Sequence, residues 1–282
     1  MRKLFIIALV LVIVLVPSFF IAEKFFPAEI YIAKSLLTDI SENSFPYSKN
    51  ESNKANCDLT LLAENGSVLN DSLLLINENH PLPENYYPEI TGYNGVSMNP
   101  LAEKGYIELK TDVKNKFGKN LYIMSAFRTP DEQKEIIESG NEYAANVYSS
   151  EHLTGLALDV YVKYYAGAGF IDSEEGQYVN EFCHNYGFII RYPHYGEEIT
   201  GIPYEPWHIR YVGLPHSKVI MDNNLTLEEY IESFVPGAVY YYHHYFIIKQ
   251  DPEKSFFIPK NSYNIEISPD NTGFYIVTGK YK

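Results

Sequence analysis

Two short stretches in the second half of the chain constrain it more than any other feature. The run Ser150-Glu151-His152-Leu153-Thr154-Gly155-Leu156-Ala157-Leu158-Asp159 sets a histidine and an aspartate seven apart, with a turn glycine between them. The run Tyr204-Glu205-Pro206-Trp207-His208 brings a second histidine with a carboxylate close before it. Two imidazoles and one carboxylate make three ligands suited to Zn²⁺. They leave a fourth position for water, the pattern of a catalytic rather than a structural zinc site. Water at such a site titrates near neutrality and becomes a nucleophile. A second carboxylate beside the last ligand, Glu205, is suited to taking and returning protons. Spacing alone leaves a metal site as one reading among others. Each histidine, taken singly, also reads as a satisfied structural residue, Asp159 as a surface or capping acid, and Glu205 as a solvated loop acid.

The other end of the chain sets a compartment. Arg2 and Lys3 precede an apolar stretch, residues 4–22, interrupted only by Pro17 and Ser18. Its 19 residues come close to the ~20 needed to cross the hydrocarbon of a bilayer. Positive charge on the leading flank keeps that end in the cytoplasm and puts the rest of the chain outside. A cleavable leader wants small residues at −3 and −1. Cleavage after Ala22 would put Phe20 at −3, and cleavage after Ser18 would put Val16 there. The reading is therefore an uncleaved single transmembrane anchor, with the catalytic domain on the outer face of the cell membrane.

Composition narrows the rest. Lysine and arginine number 22 against 36 acids, a net charge of −14, and the cations are scattered. Phosphate contacts need a cationic face, so nucleic acid is excluded as a partner. With 46% hydrophobic residues the chain can bury a core. The two cysteines, Cys57 and Cys183, form no CxxC pair, which argues against a thiolate zinc site or thioredoxin-like chemistry. Cys183 reads as a buried small apolar residue, and a Cys57–Cys183 bridge stays open.

Along the chain, residues 23–70 read as a stalk, with 41–56, rich in Ser, Asn, Lys and Glu, as linker. Residues 73–76 read as a strand leading into a turn-rich loop. Residues 100–117 carry Leu101, Tyr106, Leu109, Val113 and Phe117 at helical spacing. A β-like run, 121–125, follows. Thr129-Pro130-Asp131-Glu132 starts a helix that runs to Ser139. Residues 156–162, 188–192 and 209–212 are strand-like, and 178–186 and 225–234 are helical. Pro236-Gly237 marks a boundary. Beyond it, residues 236–282 hold short aromatic and β-branched runs that predict a small all-β appendage. His243-His244 falls in one of these strands, where adjacent side chains face opposite ways and cannot share a metal. His80, His184, His194 and His216 are likewise read as non-ligands.

The wider pattern, Ser-x-His-x-x-Gly-x-Ala-x-Asp followed by Glu-Pro-Trp-His, resembles the zinc D-alanyl-D-alanine carboxypeptidases of the VanY type. The L,D-carboxypeptidases and the VanX-like dipeptidases share that site. Ser125-Ala126-Phe127-Arg128 with Gln133, residues 188–193 and Ile199-Thr200-Gly201 match further family positions. The resemblance covers roughly residues 70–235. It implies an α+β fold, a small and mainly antiparallel sheet with flanking helices, over residues 71–235. It also implies one zinc per chain held by His152, Asp159 and His208, with Glu205 as general base and acid. Arg128 then meets the substrate near its terminal D-alanine, at the carboxylate or at the scissile carbonyl. Ser150 orients the peptide, and Gln133 and Trp207 belong to the cleft. The family often has Ser-Gly-Tyr-Arg-Ser where this chain has Ser-Ala-Phe-Arg-Thr at 125–129, so Phe127 alters the pocket wall by losing a hydroxyl. No wall-binding repeat of the family's usual kind is found.

The implied activity is hydrolysis of the terminal D-Ala-D-Ala bond of peptidoglycan stem peptides, with a link to glycopeptide resistance. Two alternatives accompany it. One is an L,D-carboxypeptidase that trims tetrapeptide stems to tripeptides. The other is an inactive wall-binding protein on the same fold, against which stands the complete set His152, Asp159, His208 and Glu205.

Overall fold

The computed structural model describes residues 24–38, 59–62, 66–140 and 144–282. The apolar run 4–22, the linker 41–56 and Cys57 lie outside the described residues. No helix among the described residues is long and apolar enough to cross a membrane.

In chain order, helix α1 (Pro27–Thr38) precedes strands β1 (Leu59–Leu61), β2 (Ser67–Leu69), β3 (Thr91–Tyr93) and β4 (Val96–Met98). Helix α2 (Pro100–Phe117), β5 (Tyr122–Ser125), α3 (Pro130–Glu138) and β6 (Ala157–Tyr161) come next. Then follow α4 (Glu174–Phe182), β7 (Phe188–Ile190), α5 (Glu197–Thr200), β8 (His208–Tyr211), α6 (His216–Asp222) and α7 (Leu227–Glu232). Strands β9 (Val239–Tyr242), β10 (Tyr245–Gln250), β11 (Phe257–Pro259), β12 (Tyr263–Pro269) and β13 (Tyr275–Lys280) close the chain. The fold is α+β, as the family resemblance implies.

The central sheet has the order β5-β6-β8-β7 and is antiparallel throughout. Helix α2 covers it. Asn99 caps the helix by accepting from the Leu101 amide, Pro100 stands in its first turn, and Gly118 ends it in the left-handed conformation. Its buried face, Ala102, Tyr106, Leu109 and Val113, recurs at three- and four-residue steps and packs with Leu158, Val160, Phe188 and Ile209 of the sheet. Gly105 lies on the same face. A methyl group there would sit 2.5 Å from the Tyr186 carbonyl oxygen, so glycine is what permits the close approach.

A second sheet, β2-β12-β13-β10-β9, occupies the C-terminal end. It is antiparallel except for the parallel pair β2–β12. One face carries Phe246, Ile248, Ile265 and Val277. The other packs Tyr240, Tyr242, Ile247 and Ile276 into a common core with Leu73, Leu75, Ile189, Val212, Tyr230 and Ile231.

Four sequence expectations change. Residues 73–76 form no strand, because their backbone groups are taken by side chains as much as by backbone. Ser268 accepts from the Leu73 amide, Arg210 donates to the Ser72 and Leu74 carbonyls, and Asn271 donates to the Leu75 carbonyl. The region read as stalk contains helix α1 and two strands, β1 pairing with β11 and β2 with β12. His243 and His244 form the turn between β9 and β10, with His243 at φ +51°, rather than a strand. The 178–186 helix is α4 continued by a tight 3-10 turn, Cys183–Tyr186. Cys183 in that turn is a free, buried thiol, as an apolar filler should be.

Candidate active site

The strand register assembles the site. Across the central sheet Ser125 pairs with Asp159, and Asp159 pairs with His208, so three polar residues line up on β5, β6 and β8. His152 arrives from the 3-10 turn Glu151–Thr154, which Gly155 terminates at φ +67°. A side chain on Gly155 would meet the Asn99 amide nitrogen at 2.7 Å. The turn that sets His152 against Asp159 therefore needs glycine for both conformation and space. Glu205 lies in the loop before β8. Its amide donates to the Tyr192 carbonyl, and its own carbonyl accepts from the His208 amide.

His152, Asp159 and His208 are all buried, and their ligand atoms lie within 4.8 Å of one another. His152 Nε2 stands 3.3 Å from Asp159 Oδ2, and His208 Nδ1 stands 2.9 Å from Asp159 Oδ1. The other nitrogen of His152, Nδ1, donates to the Ala126 carbonyl at 2.6 Å, which leaves Nε2 as the lone-pair donor. Two donors on one tetrahedral zinc ion, with bonds of about 2.0–2.1 Å, stand roughly 3.3 Å apart. The donor set, its spacing and the tautomer of His152 all fit a single divalent cation.

The same electrostatics appear in the titrating groups. Burial alone would raise the Asp159 carboxyl, but the imidazoles of His152 and His208 hold it far below the usual carboxylate range. Burial opposes charge on His208, yet its hydrogen bond to Asp159 and the nearby carboxylates of Glu151 and Glu205 push it up to about 10. The cluster is thus an anionic pocket that favours a positive charge. Glu205, with Oε2 at 3.8 Å from His208 Nδ1, has its carboxyl raised by burial, opposed by the attraction of His208. That direction suits a group that must both accept and release a proton.

These residues open into a cleft of about 360 Å³, lined by His152, Asp159, His208, Glu205, Arg128, Gln133, Ser150 and Trp207 among others. The capping box of α3 places the cationic side. Thr129 and Glu132 exchange hydrogen bonds at the helix start, immediately after Arg128. The Arg128 guanidinium donates to Gln133 Oε1 at 2.6 Å and to Ser125 Oγ at 2.8 Å. Gln133 is in turn fixed by donating to the Ala145 carbonyl. Phe127 is half-buried, donates its amide to the Ser97 carbonyl, and does not line the cleft; Arg128 occupies that side. Sequence reasoning missed Tyr192, Tyr204, Ile136 and Ile202 on the wall, and Glu151 beneath His208. Tyr192 adjoins a matched motif and packs its ring 5.1 Å from that of His208, centroid to centroid.

A buried His-Asp-His triad beside a carboxylate, opening on a cleft with one fixed guanidinium, is compatible with the single metal site of a hydrolase. Comparison with known proteins narrows the class. The family described as "VanY: D-alanyl-D-alanine carboxypeptidase" matches residues 95–214. The D-alanyl-D-alanine carboxypeptidase of Enterococcus faecium is 32% identical over 307 aligned positions, covering 99% of this chain and 96% of that protein. Among solved structures, the vancomycin resistance D,D-dipeptidase VanXYg, bound to a D-Ala-D-Ala phosphinate analogue, superposes with TM-score 0.63 at 28% identity. That match covers 74% of this chain and 94% of VanXYg. A mutant of the D,D-pentapeptidase VanY from a VanB-type cassette, in complex with Zn(II), gives TM-score 0.51 at 30% identity over 57% of this chain and 98% of its own. The chain belongs to the VanY family of D-alanyl-D-alanine carboxypeptidases.

Proposed function

We propose that this enzyme is a zinc-dependent D,D-carboxypeptidase that removes the terminal D-alanine from peptidoglycan stem peptides. One observation carries the reading: three ligand atoms within 4.8 Å of one another share a single cleft with Glu205 and Arg128. His152 through Nε2, Asp159 through a carboxylate oxygen and His208 through Nδ1 would hold the ion. Bound zinc would supply Lewis-acid activation of water and of the scissile carbonyl.

The chain's own residues do the rest. A carboxypeptidase must recognise a free α-carboxylate or a carbonyl near it, and the Arg128 guanidinium meets either with directed hydrogen bonds. Gln133 and Ser125 hold that guanidinium in place. Glu205 takes a proton from the attacking water as the C–O bond forms. It then delivers that proton to the amine nitrogen as the C–N bond breaks, releasing D-alanine and a shortened stem. Ser150, buried and lining the cleft, would hydrogen-bond the peptide. Trp207 and Tyr204 line the same cleft and would shield the reacting bond from water.

Stem peptides lie outside the cytoplasm, and the apolar run 4–22 behind Arg2 and Lys3 is suited to hold the catalytic domain there, at the membrane's outer face. Loss of terminal D-alanine from wall precursors would remove the D-Ala-D-Ala end that glycopeptides recognise.

The test incubates the zinc-loaded protein with pentapeptide and tetrapeptide stems and reads products by mass, beside a Glu205→Ala variant and a chelated sample. Loss of one D-alanine from the pentapeptide, absent in both controls, is the expected result. Cleavage of the tetrapeptide alone reassigns the enzyme as an L,D-carboxypeptidase. No cleavage of either, with zinc bound and the domain folded, overturns the reading in favour of a wall-binding protein.

A further inference from the structure

One buried group in the site has no part in the mechanism above. Glu151 follows Ser150 and precedes His152, and its side chain is fully enclosed. Its Oε1 accepts from Arg191 Nε at 2.7 Å and from Arg210 Nη1 at 2.8 Å. Both guanidiniums are themselves locked. Arg191 makes two hydrogen bonds to Glu228, at 2.9 and 2.6 Å, and Arg210 donates to the carbonyls of Ser72, Leu74 and Tyr211. The carboxylate of Glu151 therefore has no freedom to turn.

Its second oxygen, Oε2, makes no hydrogen bond, and it faces His208 Nε2 at 3.7 Å. That nitrogen is likewise buried and without a hydrogen bond. A buried acceptor and a buried donor that lack any other partner are costly to leave unmet. Two such atoms facing each other are a matched pair rather than two defects. The other ring nitrogen of His208, Nδ1, is the one directed at Asp159.

We infer that Glu151 is a positioning residue for His208: pinned by Arg191 and Arg210, its free oxygen holds the Nε2 proton and so presents the Nδ1 lone pair to the metal. This rests on the metal-site reading above. The two arginines hold Oε1 between them and so leave Oε2 as the oxygen that faces the ring. Acids placed behind metal-bound histidines orient the ring and raise its basicity, and their loss typically costs about 10–100-fold in metal affinity.

Glu151→Gln is the informative change. Arg191 and Arg210 would retain the amide oxygen, so the amide N–H₂ would be turned on Nε2–H, donor against donor. Zinc affinity is measured by chelator competition for the wild type, Glu151→Gln and Glu228→Gln. The last variant cuts the same charge network without touching the atom that faces His208. About 10–100-fold weaker zinc binding in Glu151→Gln, with Glu228→Gln near wild type, is the expected result. Equal affinity in Glu151→Gln and wild type overturns the inference, as does equal loss in both variants, which would mark a merely structural role. Should Glu151→Gln fail to fold, ¹⁵N-histidine NMR of the zinc-loaded wild type decides. A protected Nε2–H on His208 supports the inference, and metal on Nε2 with Nδ1 protonated overturns it. A wild type that binds no zinc would instead overturn the metal-site reading itself.

Discussion

At the scale of single residues, the site divides into groups that react, groups that hold and groups that aim. Glu205→Gln keeps the shape of the side chain and loses its proton chemistry, so kcat should fall by about 10²–10⁴-fold while zinc content stays at one per chain, checked by metal analysis. On the proposed reading, Arg128→Ala removes a charge-assisted hydrogen bond to the substrate, worth roughly 1.5–3 kcal/mol. Its kcat/KM on a stem peptide should fall by about 10–100-fold, and an unchanged value would remove Arg128 from the cleft chemistry. That His152, Asp159, His208 and Glu205 would share one cleft was readable in the sequence, because their motifs are short and every position in them is filled. Glu151 was written inside the same motif yet stayed invisible, because an isolated glutamate reads as surface. A usable signal did exist: Arg191 and Arg210 each sit in an apolar strand-like run, and a buried guanidinium demands a carboxylate nearby. Phe127 was misjudged for the converse reason, since adjacency to Arg128 in sequence does not place it in the same cavity.

At the scale of elements, two features determine whether the ligands meet. The turn at Gly155 is one. Gly155→Ala combines a left-handed backbone with a contact of 2.7 Å to the Asn99 amide, so it should cost about 1–3 kcal/mol and weaken zinc binding, as read by thermal unfolding and chelator competition. The other is the strap between α7 and the end of β7, where Glu228 meets Arg191. Burial would raise the Glu228 carboxyl, but the Arg191 guanidinium and Asn77 hold it below its ordinary 4.5. A carboxyl depressed in the folded state binds its proton less readily there than in the unfolded chain. Its contribution is therefore present above about pH 4.5 and lost as pH falls through the lower folded value. Metal-free wild type should lose melting temperature below that pH, and Glu228→Gln should show a flatter acid limb from a lower starting point. Most elements were visible in the sequence from apolar periodicity, caps and glycines, including α3 with its Thr129 start. Residues 73–76 were not, because a local apolar run says nothing about distant side chains, Arg210, Ser268 and Asn271, that satisfy its backbone.

At the scale of the whole molecule, the C-terminal sheet is no loose addition. Tyr240, Ile247 and Ile276 share one core with Leu73, Ile189, Val212 and Tyr230. Removal of residues 236–282 would bare that core, and the remainder should unfold without a cooperative transition or fail to accumulate as soluble protein. The intact chain should melt in one transition by calorimetry; a truncated chain with a sharp transition of its own would show the sheet to be separable. Sequence periodicity could announce an all-β segment after Pro236 but not its attachment, since the partners come from residues 59–69 and 73–75 as well as from the catalytic region. One further property belongs to the molecule as a whole. It has 26 tyrosines and a single tryptophan, and that tryptophan, Trp207, stands in the wall of the cleft, next in sequence to His208. Light absorbed at the red edge of the aromatic band excites this indole and leaves the tyrosines dark. The native chain therefore carries its own optical probe, and the colour and quenching of its emission report on the cleft without any attached dye.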